Sequence, residues 1–498
     1  MAKSKGENVC CVLTLPLLTE PWQDKIIETR FNIMEKFKNT LIRHELNKLK
    51  QLERTRAWKR LMKAIRECVD EKARKVLFKE RQRMLNQVGI SEFGFSNDTT
   101  AIGIHKHFAE HIASTFVQRA SSDVWMSFEK MLYGKGRAVH FHKCGTLDSI
   151  ANRYARDGMM IDGDVLTWKG GRCENSITLK IRIRRPKNAY ELEMLQKPIK
   201  NMRIVRKWIK TRYKYYLQIT LGGEPASKCR TIGKGRVGID IGTQTIAWSS
   251  ASEVRLAELA AGVKRFEAEK TSLQRKMDRS RRAMNPQNYN PDGTIRRGIK
   301  LRWTESNRYR RMKYRLRDLE RKNADIRKQE HARMANHILS LGNEIYIENM
   351  DWLSLSRRAK ETKKDKNGRY ARKKRFGKSV ANRAPGMLMT LLEQKCKAVG
   401  GEYHEVNKTT FKASQYDHIS DTFQKKSLGK RWNALNGTDR IQRDLYSAFL
   451  LMNSDETLVK THRARCFETY GQFKIMHDAE MERIRHEDKK HLSSMGVA

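Results

Sequence analysis

The stretch VGIDIGTQTIAWSS, residues 237–250, sets a single carboxylate, Asp240, among Val237, Ile239 and Ile241. An apolar, β-branched run of this kind predicts a strand buried in a sheet. A charge in that setting is costly unless hydrogen bonds or a metal ion receive it. The bland reading makes Asp240 a strand-end residue capping its own turn. The functional reading makes it a ligand or an acid–base group, and the residues downstream decide between the two.

Two chemistries fit the motif. The first phosphate loop of actin-like sugar kinases and chaperone ATPases is similar to GIDIGT, and so is the first strand of RuvC-type nucleases, built on the same ribonuclease-H-like sheet. The ATPase needs glycine-rich loops for adenosine and phosphate. The nuclease needs two further carboxylates to hold divalent metal. Two such carboxylates follow. In GNEIYIENMDW (342–352), Ile345 and Ile347 alternate with Tyr346 and deliver Glu348 at the end of a second apolar strand. In TDRIQRDLYSAFLLMN (438–453), Asp444 opens a helix whose apolar face is Leu445, Ala448, Phe449 and Met452. An acid at a helix start is ordinarily a cap. A strand Asp, a strand-end Glu and a helix-start Asp in this order form a set able to chelate two magnesium ions around a phosphate.

Composition points the same way. The chain has 498 residues, 103 Lys and Arg against 56 Asp and Glu, and a net charge of +47. A polyanion of large extent is the expected partner, a ribosomal-type basic protein being the plain alternative. The 8 cysteines include no C-x-x-C pair, so neither a disulfide framework nor a cysteine zinc cluster is written, and a reducing cytoplasm fits. The run Val9–Leu18 is short and holds Pro16, which predicts a first strand and no secretory signal. No stretch approaches a membrane span.

Outward from the motif, helical spacing of Ile26, Phe31, Met34, Phe37 and Leu41 predicts a helical lobe. A second helical group ends at Gly134 and Gly136. Its His105, His107 and His111 lack acidic or Cys partners at ligand spacing. AVHFH, MMIDGDVLTW, SITLKIRIRR and KYYLQITL then read as strands of a small antiparallel barrel. Arg212 and Lys214, interleaved with Tyr213, Tyr215 and Tyr216, are candidate nucleic-acid contacts, the bland alternative being tyrosines half-buried in an ordinary sheet. Beyond Asp240 comes a basic helical pair around the loop PQNYNPDGTIRRG, whose packing face is Met312, Leu316, Leu319 and Ile326. Its cation stripe, with Arg275, Lys276, Arg279, Arg310 and Arg311, would lie along phosphates. The cation-rich segment after Glu348, with Lys373, Lys374 and Arg375, reads as a loop that orders on nucleic acid. A helix over Met387–Val399 and a strand over Tyr403–Val406 complete this part.

Taken together, GIDIG, IYIENM and QRDLYSAFLL, with the basic LQRKMDRSRR and HARMANHI between the first two, resemble the TnpB nucleases of insertion sequences and the related miniature type V CRISPR effectors. The resemblance covers about residues 236–455. It implies an α+β multidomain chain: an antiparallel wedge β-barrel with an inserted α-helical recognition lobe, then a ribonuclease-H-like α/β RuvC domain with helical insertions. The expected boundaries are a first wedge strand at 1–19, the lobe at 20–135, the barrel at 136–230, the nuclease domain at 231–406, a target-nucleic-acid-binding-like loop at 407–440 and the C-terminal nuclease part at 441–498. It implies RNA-guided, magnesium-dependent cleavage of DNA at one site formed by Asp240, Glu348 and Asp444, each a metal ligand, with guide RNA and target DNA as partners and one or two copies of the chain on one guide. A CRISPR effector and a transposon-encoded nuclease fit equally, and a nuclease-idle repressor of the same lineage is the alternative. One departure stands out. Where many family members carry four zinc-binding cysteines, residues 407–440 have none, so no zinc is expected. His418 with Asp417 and Asp421 is at best a weak remnant of such a site. Tyr416, Phe423, Leu428 and Trp432 are the expected core in its place.

Overall fold

The computed structural model describes residues 9–102, 107–134, 136–226, 231–357, 376–427, 429–435, 439–488 and 491–497. Backbone contacts divide the chain into two units, Met1–Ala226 and Ser227–Ala498. His105, Leu428, Lys373, Lys374 and Arg375 fall outside the described residues.

The first unit is a curled antiparallel sheet with a set of helices inserted after its first strand. Strand β1 (Cys10–Leu18) leads into helices α1 (Pro21–Arg54), α2 (Arg56–Glu67), α3 (Glu71–Gln87), α4 (Glu92–Ile102) and α5 (Ser114–Leu132). Strands β2 (Ser149–Ala151), β3 (Met159–Asp162), β4 (Val165–Trp168), β5 (Leu179–Ile183), β6 (Ile199–Ile209) and β7 (Arg212–Gly222) follow. The seven strands run in the order β2-β6-β7-β1-β5-β4-β3. The curl is made by β1, which pairs with β7 from Cys10 to Pro16 and with β5 at Leu17 and Leu18. Among the described residues β2 and β3 remain edges, so the expected barrel is a half-barrel.

Polar side chains pin α1 to this sheet and its loops. The Glu35 carboxylate accepts the backbone N–H groups of Gly145, Thr146 and Leu147 at 3.0–3.1 Å. Arg30, wholly buried, donates to the carbonyls of Trp168 and Ile177 and stacks on the Trp168 ring. Buried polar groups must be satisfied in this way. The AVHFH segment is not a strand, because the backbone of His142 exchanges both its hydrogen bonds with the side chain of Asn39 on α1 instead of a ladder partner. Strand β6, absent from the expected set, is one of the two longest strands of the unit.

The second unit is built on β8 (Arg236–Ile241), β9 (Thr245–Ser250), β10 (Val254–Glu258), β11 (Glu344–Glu348) and β12 (Glu402–Val406), in the order β10-β9-β8-β11-β12. The first three form an antiparallel meander; β11 and β12 run parallel to β8. The basic pair, α6 (Glu267–Met284) and α7 (Asn307–Leu341), lies between β10 and β11, and α8 (Pro385–Ala398) between β11 and β12. Helices α9 (Arg443–Met452) and α10 (Arg463–His486) close the chain.

Alternation along the strands sorts the sheet into two faces. Val237, Ile239, Ile241, Ile345 and Ile347 pack with α7 and α8. Ala247, Leu256 and Tyr346 pack on the other face with Leu445, Ala448 and Phe449 of α9. Gly238 permits that packing: a Cβ there would lie 2.0 Å from the Ala448 carbonyl oxygen and 2.2 Å from the Met452 nitrogen. No side chain fits, so α9 rests directly on the backbone of β8.

A carboxylate cleft on the sheet

The register brings the strand carboxylates together. Ile347 of β11 stands opposite Ile239 of β8, so Glu348 and Asp240 are the next residues in step at the carboxyl ends of neighbouring parallel strands. Asp240 shares its face with Gly238, and Glu348 with Tyr346, which is the face that α9 covers. Asp444 lies in the first turn of that helix. Asp240, Glu348 and Asp444, all half-buried, line one cleft of about 420 Å³ together with Thr243, Arg431 and Arg443.

Asp444 is not a cap. The N-cap is Gln442, whose side chain accepts the Leu445 N–H at 2.8 Å, and the backbone N–H of Gln442 donates to Nε2 of buried His477 at 3.0 Å. With the cap supplied by Gln442, the Asp444 carboxylate is left to face the cleft, where Arg431 Nη1 and Arg443 Nε stand 3.8 and 3.5 Å from its Oδ1. Burial, and then the charges of Asp444 and Glu348, push the Asp240 carboxyl well above the usual carboxylate range against the opposing pull of Arg443 and Arg431. Burial also raises Glu348, opposed by Lys408. Arg431, Arg443 and Lys408 escaped the sequence reading; the adjacency of Arg443 to Asp444 was the available signal.

The three carboxylates do not form a single-ion cage. Among the described residues, the group of His, Cys, Asp or Glu whose ligand atoms all lie within 4.8 Å is His44, Glu45 and Asp98, in the first unit. Lys48 already supplies a cation there, its Nζ 3.4 Å from Glu45 Oε2, and burial followed by Asp98 pushes Glu45 up to about 8. No local motif signals this cluster, which joins α1 to α4 across a separation of some fifty residues.

The expected nucleic-acid contacts divide. Arg275, Lys276, Arg279, Arg310 and Arg311 are exposed on α6 and α7, and Lys276 and Arg279 line a shallow hollow with Arg308. Of the expected packing face, Leu319 is fully buried, while α6 buries no residue. Arg212 and Lys214 are exposed. Tyr215 is not available at the surface: it is 2% exposed, in phase with Leu217 and Ile219, and its hydroxyl donates to Glu28 Oε1 at 2.6 Å. Tyr213 is half-buried under the Arg206 guanidinium, its hydroxyl donating to the Gly145 carbonyl.

In the cysteine-free segment, Tyr416 is buried and Trp432 packs against the same core, donating from Nε1 to the Gly496 carbonyl at 2.9 Å. Phe423 is 55% exposed, touching Tyr416 with ring centroids 4.8 Å apart. Phe411, Ala413, Leu435 and Ile441 supply the remaining core. His418 is wholly buried, with Nδ1 2.7 Å from the Tyr446 hydroxyl.

No family model matches the chain and no curated protein matches it. Among solved structures, a cryo-EM structure of a Cas12f1–sgRNA–target DNA complex is similar at 12% identity and a TM-score of 0.43, covering 90% of this chain and 99% of that one. A cryo-EM structure of a CRISPR-Cas12f ternary complex is similar at 12% identity and a TM-score of 0.27, covering 89% and 99%. No helix among the described residues is long and apolar enough to cross a membrane.

Proposed function

We propose that the protein is an RNA-guided DNA endonuclease whose single hydrolytic site is formed by Asp240, Glu348 and Asp444. The observation that carries this reading is the convergence of three carboxylates, from two adjacent strand ends and one helix start, in one cleft. The strand order, an antiparallel meander extended by two parallel strands, supports a ribonuclease-H-like sheet of RuvC type. The motifs around the trio support a guide RNA and target DNA as partners, and a net charge of +47 fits both.

The donor set fits magnesium. All three groups are hard oxygen ligands, and the unfavourable charge around Asp240 is what a divalent cation relieves. Asp240, Glu348 and Asp444, spread more widely than a one-ion cage, are the residues that would hold a pair of such ions. Bound there, magnesium would supply charge neutralisation at the scissile phosphate and make a bound water easier to deprotonate. The chain's own contribution is to fix the three carboxylates: Asp240 and Glu348 through the β8–β11 register, and Asp444 through the α9 cap. Arg431 and Arg443, which line the cleft beside Asp444, would meet phosphate oxygens there.

Asp240→Ala, Glu348→Ala and Asp444→Ala should each abolish magnesium-dependent cleavage and leave RNA-guided DNA binding nearly intact, with double variants no worse than single ones. A variant that still cuts removes its residue from the site. Guided binding by the unaltered protein with no cleavage at any magnesium concentration favours the repressor.

A further inference from the structure

The backbone around Asp444 is held by hydrogen bonds whose acceptors differ in kind. Arg443 N–H donates to the Arg431 carbonyl at 2.9 Å, and Leu445 N–H to the Gln442 side chain at 2.8 Å. Gln442 itself ends a short antiparallel pair, Trp432–Leu435 with Asp439–Gln442, in which it stands opposite Trp432, and it is fully buried. Its N–H donates to Nε2 of His477 on α10 at 3.0 Å. Of these three acceptors, only the imidazole can take a proton near neutral pH. His477 is 1% exposed, with Nδ1 2.8 Å from Asp478 Oδ1 and the Trp432 and Phe473 rings 6.2 and 5.9 Å from its own.

We infer that His477, held by Asp478 as the neutral Nδ1–H tautomer, is the positioning residue that sets Asp444 in the cleft, and that its protonation releases the first turn of α9. An Nε2 that accepts the Gln442 N–H carries a lone pair and no hydrogen. A carboxylate facing Nδ1 only accepts, so the single proton sits on Nδ1. A second proton, on Nε2, would set N–H against N–H and leave the buried Gln442 amide without an acceptor, a state native structures avoid. Gln442 would then shift, and with it the cap and Asp444 two residues on. Burial lowers the His477 pKa; Lys474 and Arg485 on the same helix add to this, and Asp478 opposes it. From the facing strand pair the imidazole meets Gln442 and the Trp432 ring, neither of which titrates, and Arg440 stands over that ring at 5.4 Å. The cap is therefore intact at neutral pH, and acid undoes it. His477 acts through Gln442, not on the phosphate.

The inference rests on the nuclease reading of Asp444, and the experiment separates the two. Cleavage, guided DNA binding and amide hydrogen exchange over residues 440–446 are measured on the full chain with its guide RNA. His477→Phe, which removes the acceptor, should lower cleavage about 10–100-fold, leave DNA affinity unchanged and speed exchange over 440–446. His477→Gln, whose carboxamide oxygen accepts the same N–H but takes no proton, should recover cleavage to within about threefold of the unaltered chain. It should also lose less of its activity than the unaltered chain between about pH 7.5 and about pH 5. Asp478→Ala, a change at a side chain 52% exposed that should not disturb folding, frees the tautomer and should lower cleavage about threefold or more. Cleavage and exchange unchanged in both His477→Phe and Asp478→Ala would overturn the inference. So would parallel pH curves for His477→Gln and the unaltered chain. An Asp444→Ala protein that cuts normally sinks the nuclease reading instead, and exchange over 440–446 then still decides whether His477 holds the turn.

Discussion

The contact between α9 and β8 at Gly238 makes a sharp test of how the cleft is assembled. In Gly238→Ala the new Cβ would meet two backbone atoms, at 2.0 and 2.2 Å, with no flexible side chain able to turn away. Reaching ordinary contact distance requires the helix and strand to separate by more than about 1 Å. Overpacking of this kind costs about 1–3 kcal/mol, or more where only backbone can yield. For a domain of this size that is roughly 2–4 °C of Tm per kcal/mol. The functional loss should be larger. Asp444 rides on α9 while Asp240 rides on β8, so the displacement separates two members of the trio, and a misplacement near 1 Å costs about 100-fold in rate. Thermal unfolding and magnesium-dependent cleavage of guided DNA are measured on the same preparation. A Gly238→Ala protein with unchanged Tm and unchanged cleavage would show that α9 does not position the site.

Further outcomes follow from other residues. Burial pushes His418 down to about 4, so the folded unit keeps it neutral while the unfolded chain protonates near 6.5; its contribution is present above about pH 6.5 and is lost as pH falls towards 4, on the order of 3 kcal/mol. Urea unfolding between pH 7.5 and 5 should show that slope, reduced in His418→Gln. Purified protein should carry no stoichiometric zinc and zinc chelators should not unfold residues 407–440, because Phe411, Tyr416 and Leu435 form their core; elemental analysis giving one zinc per chain would refute it. RNA affinity should fall about 1,000-fold or more between 50 and 200 mM salt if six or more phosphates are contacted, and the combined Arg275→Ala, Arg310→Ala and Arg311→Ala changes should lower the salt slope. An unchanged slope would place the RNA elsewhere.

The trio was legible because each member announces itself locally. Val237, Ile239 and Ile241 fix the phase of β8, and Ile345 and Ile347 that of β11, which leaves Asp240 and Glu348 on the opposite faces of their strands from those side chains. Strand β6 was hidden by the same logic. Its inward positions are Met202, Ile204 and Arg206, and a cation in an apolar slot breaks the pattern unless the partner is known. The partner, Glu28, lies on α1 with its Oε2 2.6 Å from Arg206 Nη1, a pairing no local window contains. Tyr215 could have been placed correctly, because it keeps step with Leu217, Ile219 and Leu221 and therefore points inward. The His477 bond to Gln442 and the pairing of Arg431 with Asp444 are tertiary facts with no local signature.

Charge explains why such a site must be built rather than left to composition. A protein of net charge +47 draws phosphate to its whole surface, yet the cleft confronts an approaching diester with three carboxylates. Two unit charges of like sign about 4 Å apart near a protein surface repel by about 4 kcal/mol. Arg431 and Arg443 stand beside Asp444, but they do not cancel the field at Asp240, whose carboxyl is raised despite them. Under the proposed function, the surface would gather nucleic acid while the cleft would resist it until a divalent cation changed the sign of the local charge. On this reading, the cations of α6 and α7 supply affinity and the carboxylates supply a metal requirement. The cations and the carboxylates occupy separate parts of one unit, and a single patch could not carry both proposed functions.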